Sequence, residues 1–429
     1  MHSPPFQDLP RMVSADLQLR RASTLDELEA VLQSHVAAFD DEDEPGLRAN
    51  LFSRPGTRPE DVLYVEDNRT SQVVSSVSLI PQTWTYEGIP FRVAEAAIVS
   101  TREAYRKRGL VREQFEVYHG MALQAGCLVS VIAGIPYFYR QFGYEYIIPM
   151  DGSTSLRPEQ IPDVQTEGSS PYSFRAATAA DMPVLQRFYG QMTKEFCVAS
   201  VLTDEIWLHQ DSLPDNCGDR LKTYVMECEG EPVGYVRMRA NERSDWHKGA
   251  SIHSAYLPGH DTCLATLRFA KKLALEERQE HHIKVEIPIE TPLVRASIDL
   301  GGEVRRPYAW QVRVLDPLRF LLTIAPALER RLAESPWAGL TQDFSMSLYR
   351  EVIVLRFRDG RLSNVGTVAP RRGCEMRCPP SVIPMIWLCY RSVDEVVDWY
   401  PDASCKDRAT QRLAGVLFPK RESWACSLF

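Results

Sequence analysis

The sequence lacks several features that would assign it to a common class at once. Its first 14 residues contain no apolar core of the kind a secretory signal needs, and no stretch approaches the ~18 apolar residues of a membrane-spanning helix. It has no basic surplus either, because 57 acidic residues exceed 49 basic ones and give a formal net charge of −8. General nucleic-acid-binding proteins usually carry positive charge. We therefore expect neither membrane insertion nor a nucleic-acid partner.

The cysteines show no dense framework. Ten are scattered through the chain, and the closest pair is Cys374 and Cys378. No second Cys/His pair lies near them at the spacing of a zinc site. Free thiols in a long chain are typical of a reducing compartment. We expect a cytoplasmic protein without a metal.

What the sequence does contain is a repeated order of elements. After a Pro-rich tail (1–14), residues 15–150 predict a strand, a helix, several antiparallel-type strands and then a strand–helix–strand unit. Residues 151–171 are rich in Pro, Ser, Gly and Asp and read as a linker. Residues 172–312 repeat the first order, and residues 313–429 hold strands followed by helices. The prediction is an α+β protein with a degenerate internal duplication.

A basic turn joins a strand ending near Thr101 to a helix over residues 107–125. The first turn of a helix leaves backbone N–H groups without partners and carries the positive end of the helix dipole. Gly109 lets the backbone approach a ligand closely, and the cationic side chains around it are Arg106, Lys107, Arg108 and Arg112. The pattern predicts a diphosphate site. The alternative is a solvated basic turn with an ordinary turn glycine.

A second motif follows the next buried strand, at Gly134-Ile-Pro-Tyr-Phe-Tyr-Arg-Gln-Phe-Gly-Tyr144. Tyr139 is expected just beyond the carboxyl end of that strand, near the basic turn. A phenol at this place can donate a proton to a departing thiolate. The alternative is that these aromatic residues only fill the core.

Together and in this order, the two motifs resemble those of the GNAT acyl-CoA N-acyltransferases. The first corresponds to Arg106-Lys-Arg-Gly109-Leu-Val111 and the second to Phe138-Tyr139-Arg-Gln-Phe-Gly143-Tyr144. Val111 stands where the general motif has Gly or Ala. The Arg-x-Arg-Gly-Leu-aliphatic form is similar to the enhanced-intracellular-survival (Eis-like) subfamily, as are the chain length and the internal duplication.

The resemblance implies an architecture and an activity. The fold would be two tandem GNAT folds, each a mixed, splayed sheet with flanking helices, followed by a sterol-carrier-protein-like α+β domain. The co-substrate would be acetyl-CoA, and the acceptor a primary amine of an aminoglycoside, a polyamine or a lysine side chain. A homo-oligomer is also implied, since hexamers occur in the subfamily.

The resemblance also implies a role for each matching residue. Val99 and Thr101 would pair their backbone with the pantetheine arm like an added strand. Tyr139 would be the general acid, and the terminal carboxylate of Phe429 the general base. The residues implied to bind the cofactor are Val99, Ser100, Thr101, Lys107, Arg108, Gly109, Leu110, Val111, Arg112, Gly134 and Ile135.

Three alternatives stay open from the sequence. The base could be Glu95, which by strand alternation would share a face with Val99 and Thr101, or it could be water. The acidic run over residues 40–44 could attract a cationic acceptor or be an ordinary solvated loop. The whole chain could also be a non-catalytic acyl-CoA- or lipid-binding protein that works through its C-terminal domain.

The second unit gives an internal comparison. Its corresponding turn reads Ala255-Tyr-Leu-Pro-Gly-His-Asp-Thr262 and contains neither motif. Asp261 would place negative charge where a diphosphate has to sit. We therefore expect one cofactor site per chain, in the first unit.

Overall fold

The chain folds as an α+β protein, as the sequence predicts. The computed structural model describes residues 9–39, 44–150, 152–163, 170–239, 250–277, 282–370 and 372–426. Their strands form three sheets with helices packed on the faces. None of the helices in these ranges is long and apolar enough to cross a bilayer.

The first sheet carries the predicted motifs. Its order is β1-β2-β3-β4-β5-β6-β16-β7, and β10 pairs with β4 at the side. The long strands β4 and β5 form a hairpin because Glu87 and Gly88 both adopt positive φ, as a tight two-residue turn requires. The strands of this sheet in the described ranges are β1 (Arg11–Met12), β2 (Leu17–Arg21), β3 (Val62–Asp67), β4 (Gln72–Tyr86), β5 (Ile89–Thr101), β6 (Val129–Ile132), β7 (Glu145–Pro149), β10 (Val198–Ser200) and β16 (Ala309–Val314).

The second sheet repeats the order of the first. It runs β9-β11-β12-β13-β14-β8-β15, with one parallel pair between β13 and β14. Its strands are β8 (Ser153–Leu156), β9 (Tyr172–Ala176), β11 (Leu221–Cys228), β12 (Glu231–Arg239), β13 (Ala250–Tyr256), β14 (Ile283–Val285) and β15 (Glu303–Arg305).

The two sheets exchange one strand each. Strand β16 follows the second unit in sequence but lies between β6 and β7 of the first sheet. Strand β8 follows the first unit but lies between β14 and β15 of the second sheet. Each sheet therefore needs a strand from the other half of the duplication to be continuous.

A third, smaller sheet and its helices follow. Its order is β19-β18-β17-β20-β21, with β17 (Gln342–Ser347), β18 (Val352–Arg358), β19 (Arg361–Val368), β20 (Met376–Arg377) and β21 (Ser404–Cys405). The helices of the described chain are α1 (Leu25–Phe39), α2 (Glu44–Phe52), α3 (Leu110–Gln124), α4 (Met182–Thr193), α5 (Asp204–Ser212), α6 (His260–Lys272), α7 (Pro292–Asp299), α8 (Pro317–Thr323), α9 (Ala325–Ala333), α10 (Ile383–Trp387), α11 (Val393–Trp399) and α12 (Arg408–Leu417).

Helix α3 packs on the first sheet through an apolar stripe. Phe115, Tyr118 and Ala122 are buried against Ala94 and Ala96 of β5. Their spacing of three and four residues puts them on one face of the helix. This packing fixes the beginning of α3, and with it the basic turn, at the end of β5.

Two parts of the sequence interpretation differ from the structure. Residues 151–171 contain β8, whose Thr154 and Leu156 are buried in the second sheet. Four residues are too few to show a strand period among Pro and Ser. The expected division between residues 312 and 313 falls inside β16.

Of the acidic run over residues 40–44, only Glu44 lies within the described residues, where it begins α2 and pairs with Arg48 at 2.9 Å.

Candidate functional site

The first sheet opens at the end of its parallel strand pair. Strand β5 pairs with β6 only from Val93 to Glu95, and β6 ends at Ile132 while β5 continues to Thr101. A cleft of about 600 Å³ occupies the opening. Within the described residues, the edge of β5 that faces it has no partner strand beyond Glu95. An extended ligand can therefore pair with this edge as an added strand does.

A β-bulge in β5 changes which side chains face the cleft. Ser78 opposes Ala97 but Ser76 opposes Ser100, so β5 carries one extra residue there, and Ile98 has a φ of +50°. The extra residue reverses the alternation. Val99 packs on the α3 side of the sheet, whereas Ala97 and Ile98 pack on the α1 side.

The expectation that Glu95 shares a face with Val99 and Thr101 is therefore wrong. Ala94 and Ala96, its two neighbours, face α3, so Glu95 faces the opposite side, toward α1. A bulge leaves no period in the sequence from which it can be foreseen. The Glu95 carboxyl thus lies on the opposite face of the sheet from the side chain of Val99. We call the unpaired edge of β5 that borders the cleft, from Val99 to Thr101, the cofactor edge.

The basic turn forms a concave backbone at the start of α3. Lys107 and Gly109 have φ values of +63° and +77°, and α3 begins at Leu110. The amides of Arg112 and Glu113 bond to the Gly109 carbonyl, whereas the amides just before them have no acceptor inside the helix. The turn lines the cleft from residue 105 to residue 112. It thus points N–H groups and a helix dipole into the cleft.

The cations of this turn are oriented by neutral groups. Arg106 donates to the Thr101 carbonyl at 3.3 Å, and Arg108 to the Ala104 carbonyl at 3.0 Å. Arg112 donates to the side-chain carbonyl of Gln141 at 2.9 Å. Because none of these partners is a carboxylate, the positive charge is not neutralised by them. An anion entering the cleft meets that charge at the rim.

Tyr139 reaches the same cleft from the other side of the opening. It lies on a short helical turn, Phe138–Phe142, between β6 and β7, and is only 5% exposed. Its ring packs against Phe115, with 5.6 Å between centroids. It also occupies the space above Gly134, where a Cβ atom would lie 2.1 Å from the ring. Burial raises the pKa of the Tyr139 phenol, and Tyr308 adds to the rise.

The structure thus brings together nearly all of the predicted cofactor residues. Gly134 lies beneath the Tyr139 ring, and Ile135 is exposed in the cleft. The predicted residues that line the cleft are Val99, Ser100, Thr101, Lys107, Arg108, Gly109, Leu110, Val111, Arg112, Ile135 and Tyr139. Phe429, the predicted base, lies outside the described residues.

The opposite face of the opening holds a buried acid. Glu95 is 2% exposed and accepts a hydrogen bond from the Gln82 amide. Burial raises the pKa of Glu95 to about 8, although the charge of Arg54 and the Gln82 hydrogen bond act in the other direction. At neutral pH this carboxyl is largely protonated.

The carboxyl-terminal segment runs to this face. The Trp424 amide donates to the Val198 carbonyl at 2.7 Å, and the Trp310 indole donates to the Ala425 carbonyl at 2.7 Å. Arg54 is within electrostatic range of both Glu95 and Cys426, the last described residue. The end of the described chain is therefore close to Glu95.

The second unit has a histidine and a glutamate at the corresponding opening, and burial lowers the pKa of that histidine. There, the β-bulge falls at His253, whose Nε2 lies 2.8 Å from the Glu286 carboxylate. Helix α6 begins after Gly259, whose φ is −159°, so the backbone lacks the left-handed turn. In the described part of the chain, no group of three or more His, Cys, Asp or Glu is placed to hold a metal.

Sequence reasoning missed several residues of the site. Phe138, Gln141 and Phe142 line the cleft, and the aromatic pair had an equally good interpretation as core. Gln82 flanks Glu95 from the neighbouring strand β4, and Arg54 does so from the segment after α2. No local pattern distinguishes them from ordinary polar residues.

Comparisons with known proteins agree with this geometry. Residues 19–147 match the family "Acetyltransferase (GNAT) domain". No curated protein matches the chain significantly.

Solved structures resemble nearly the whole chain. A GCN5-related N-acetyltransferase from Anabaena variabilis is 13% identical, with a TM-score of 0.68 over 95% of this chain and 99% of that one. Eis1 from Mycobacterium abscessus is 14% identical, with a TM-score of 0.60 over 95% and 99%. N-myristoyltransferase from Saccharomyces cerevisiae, with bound myristoylCoA, is 12% identical, with a TM-score of 0.51 over 72% and 85%. At these identities the likeness concerns the fold.

The family match supplies the chemistry that the fold alone leaves open. It covers the sheet opening, the basic turn and the Tyr139 turn. Residues 19–147 therefore form an acetyltransferase domain of the GNAT family, and the chain as a whole has a fold like that of Eis1.

Proposed function

We propose that this protein transfers an acetyl group from acetyl-CoA to a primary amine. The observation that carries the proposal is the cleft, in which an unpaired strand edge, a left-handed amide turn and a buried phenol converge. Such a cleft can hold an extended thioester at one end and protonate its sulfur at the other. Proximity and charge stabilisation then supply most of the rate.

Acetyl-CoA fits the residues of the cleft. The diphosphate binds to the amides of residues 109–111 and to the cations of the turn. The pantetheine arm pairs with Val99 and Thr101, and Gly134 and Ile135 flank it on the other side. The thioester is thereby directed toward Tyr139.

The reaction proceeds by direct attack. The neutral amine attacks the acetyl carbonyl carbon, a C–N bond forms, and the C–S bond breaks. Tyr139 gives its proton to the departing sulfur, and a base removes the proton from the nitrogen. A raised pKa suits Tyr139 to this role, since the phenol remains protonated until the thiolate forms.

The terminal carboxylate of Phe429 is our candidate for the base. The described chain already reaches Arg54 and the Glu95 side at Cys426, three residues before the end. Glu95 is the alternative, acting directly or through water. A terminal carboxylate exposed to water is a weak base, with a pKa of about 3.3–3.7, so it needs the low dielectric of a buried site.

The acceptor in this proposal is a cationic amine such as an aminoglycoside, a polyamine or a lysine side chain. The acidic net charge of the chain favours approach of a polycation.

Several broader assignments belong to the same proposal. The units are a tail (1–14), a catalytic GNAT domain (15–150) whose sheet β16 completes, a degenerate GNAT-like domain whose sheet is completed by β8 from residues 151–171, and a sterol-carrier-protein-like domain that begins after β16. The exchanged strands bind the first two domains together. The protein works as a cytoplasmic homo-oligomer, with all ten cysteines as free thiols.

The competing proposal is a non-catalytic acyl-CoA- or lipid-binding protein that uses the third sheet. A binding protein has no use for a protonated phenol at the thioester end of the cleft. CoA release, measured as free thiol with acetyl-CoA and a panel of polyamines and aminoglycosides, separates the two. Amine-dependent release supports transfer, and binding without release by any amine supports the alternative.

A further inference from the structure

Gly134 lies just before the turn that carries Tyr139, and its carbonyl is hydrogen-bonded by residues of the exchanged strand β16 and of the segment before it. The Tyr308 hydroxyl donates to the Gly134 carbonyl at 2.6 Å, and the side-chain amide of Gln311 donates to the same oxygen at 2.9 Å. Gln311 is fully buried in β16, and Tyr308 immediately precedes that strand. One carbonyl of the catalytic unit is thus bound twice by residues more than 170 positions later in the chain.

Tyr137, which immediately precedes the turn, is connected to the same tyrosine through Tyr146. Tyr137 has a φ of +71°, a conformation that a non-glycine residue adopts only when its surroundings hold it there. Its amide donates to the Tyr146 hydroxyl at 3.2 Å, and the Tyr146 hydroxyl lies 3.0 Å from that of Tyr308. Since the Tyr308 proton is used on Gly134, Tyr146 is the donor in this last bond. A chain of three hydrogen bonds therefore connects Gly134 to Tyr137, the two ends of the short segment that leads into the turn.

Gly134 and Tyr139 are in direct contact. The ring of Tyr139 fills the place where a side chain of residue 134 would be, so a displacement of Gly134 displaces the ring. The ring also packs against the aromatic rings of Phe115, Phe138, Phe142 and Tyr144. Packing of this kind permits sliding, whereas a carbonyl with two donors does not move without losing a bond.

We propose that Tyr308 is a positioning residue for acetyl transfer, which aligns Tyr139 by fixing the Gly134 carbonyl. This inference rests on the proposed function, in which Tyr139 is the general acid. It gives the strand exchange a catalytic consequence: the second half of the duplication, which lacks a cofactor site of its own, aligns the acid of the first half.

Replacement of Tyr308 by Phe tests this role with little risk to the fold. Tyr308 is 42% exposed, at the wall of a cleft of about 650 Å³. In the variant, Gln311 still satisfies the Gly134 carbonyl, and the Tyr146 hydroxyl can turn to water in the cleft. The matched control is Tyr390→Phe, which lines the same cleft but has its hydroxyl on Arg391.

The experiment is a double-mutant cycle on turnover in the full-length protein. We expect Tyr308→Phe to lower kcat about tenfold, as for the loss of one aligned hydrogen bond, with the KM for acetyl-CoA changed less than about twofold. In the Tyr139→Phe background the same change should have almost no further effect, because its target is gone. Tyr390→Phe should be neutral in both backgrounds.

A spectroscopic measurement reports on the surroundings of the Tyr139 ring directly and so separates a positioning role from a general effect on stability. In protein labelled with 3-fluorotyrosine, the ¹⁹F resonance of Tyr139, assigned by its loss in Tyr139→Phe, should shift in Tyr308→Phe and stay in place in Tyr390→Phe. Full activity of Tyr308→Phe, or an equal loss with and without Tyr139, overturns the positioning role. If Tyr139→Phe itself is fully active, the acid assignment of the proposed function has failed instead.

Discussion

At the scale of single residues, the site depends on placing one phenol out of water. Tyr139 is buried by Phe115 and by the backbone of Gly134, and its pKa is raised by that burial. A phenol in this state keeps its proton until a strong base, such as a thiolate, is generated beside it. The same group exposed to solvent would compete with water as the donor.

We predict that Tyr139→Phe lowers kcat by about 10²–10⁴, the usual contribution of a general acid, and leaves the Kd for acetyl-CoA nearly unchanged. Thiol release and calorimetry measure the two quantities. Tyr137→Phe is the matched control, because this neighbouring ring is 76% exposed. Equal activity of the two variants would remove Tyr139 from the mechanism.

Glu95 makes stability depend on pH in an unusual direction. Burial raises the pKa of this carboxyl to about 8 in the folded chain, whereas in the unfolded chain it titrates near about 4.3. Between these values the folded state holds a proton that the unfolded state has released, so stability falls as the pH rises. Above about pH 8 the loss is complete.

We therefore predict that Glu95→Gln, relative to wild type, gains stability from about pH 5 to about pH 8. Glutamine keeps an acceptor for Gln82 and has no charge to bury. Denaturant unfolding at the two pH values measures the difference. If wild type and variant show the same pH dependence, Glu95 is not the buried acid described above.

At the scale of elements, the cofactor turn depends on backbone that only glycine adopts without strain. Gly109 has a φ of +77°, and an added Cβ would meet no atom within 4 Å. A substitution there is strained by conformation alone, at a cost of about 1–2 kcal/mol.

We predict that Gly109→Ala raises the KM for acetyl-CoA about tenfold and changes kcat little, because the turn binds the diphosphate and takes no part in bond making. Gly190→Ala is the control. It lies in α4, has open space and ordinary helical φ, and should leave KM unchanged and raise stability slightly. An unchanged KM in Gly109→Ala would contradict the diphosphate assignment.

Local patterns predict the elements well and their partners poorly. The glycine, the cations and the Phe-Tyr motif sit on short, continuous stretches, so the turn at Gly109 and the position of Tyr139 could be inferred from the sequence. The bulge at Ile98 could not, because it depends on the partner strand, and it reversed the expected face of Glu95. Arg54 reaches Glu95 only through tertiary packing.

At the scale of the whole molecule, the strand exchange makes the two halves interdependent. Without β16, strands β6 and β7 have no strand between them, and the Tyr139 turn loses the Tyr308 and Gln311 bonds. The sequence does not reveal the exchange, because β8 and β16 each follow one unit and complete the other. The repeat in the sequence and the repeat in space are therefore offset by one strand.

We predict that residues 1–150 alone do not form a stable acetyl-CoA-binding domain. Co-expression of fragments 1–163 and 170–429, which are cut in the stretch between β8 and β9, should give a tight complex that binds acetyl-CoA, since each fragment holds a strand of the other's sheet. Co-purification and calorimetry provide the test. A folded, acetyl-CoA-binding 1–150 fragment would show that the exchange is dispensable.

The carboxyl-terminal segment gives a second prediction at this scale. Deletion of Phe429, or a peptide tag added after it, should cut kcat sharply and leave the Kd for acetyl-CoA nearly unchanged, because the segment approaches the Glu95 side and not the cofactor edge. An amino-terminal tag is the control. Full turnover of the extended chain would transfer the role of base to Glu95 or water.

The most direct test of the account is a crystal structure of the protein with coenzyme A. We predict the diphosphate against the amides at the start of α3, the pantetheine arm along Val99 and Thr101, and the sulfur next to the Tyr139 hydroxyl. Coenzyme A bound elsewhere, or a cleft closed by its own side chains, would contradict the account.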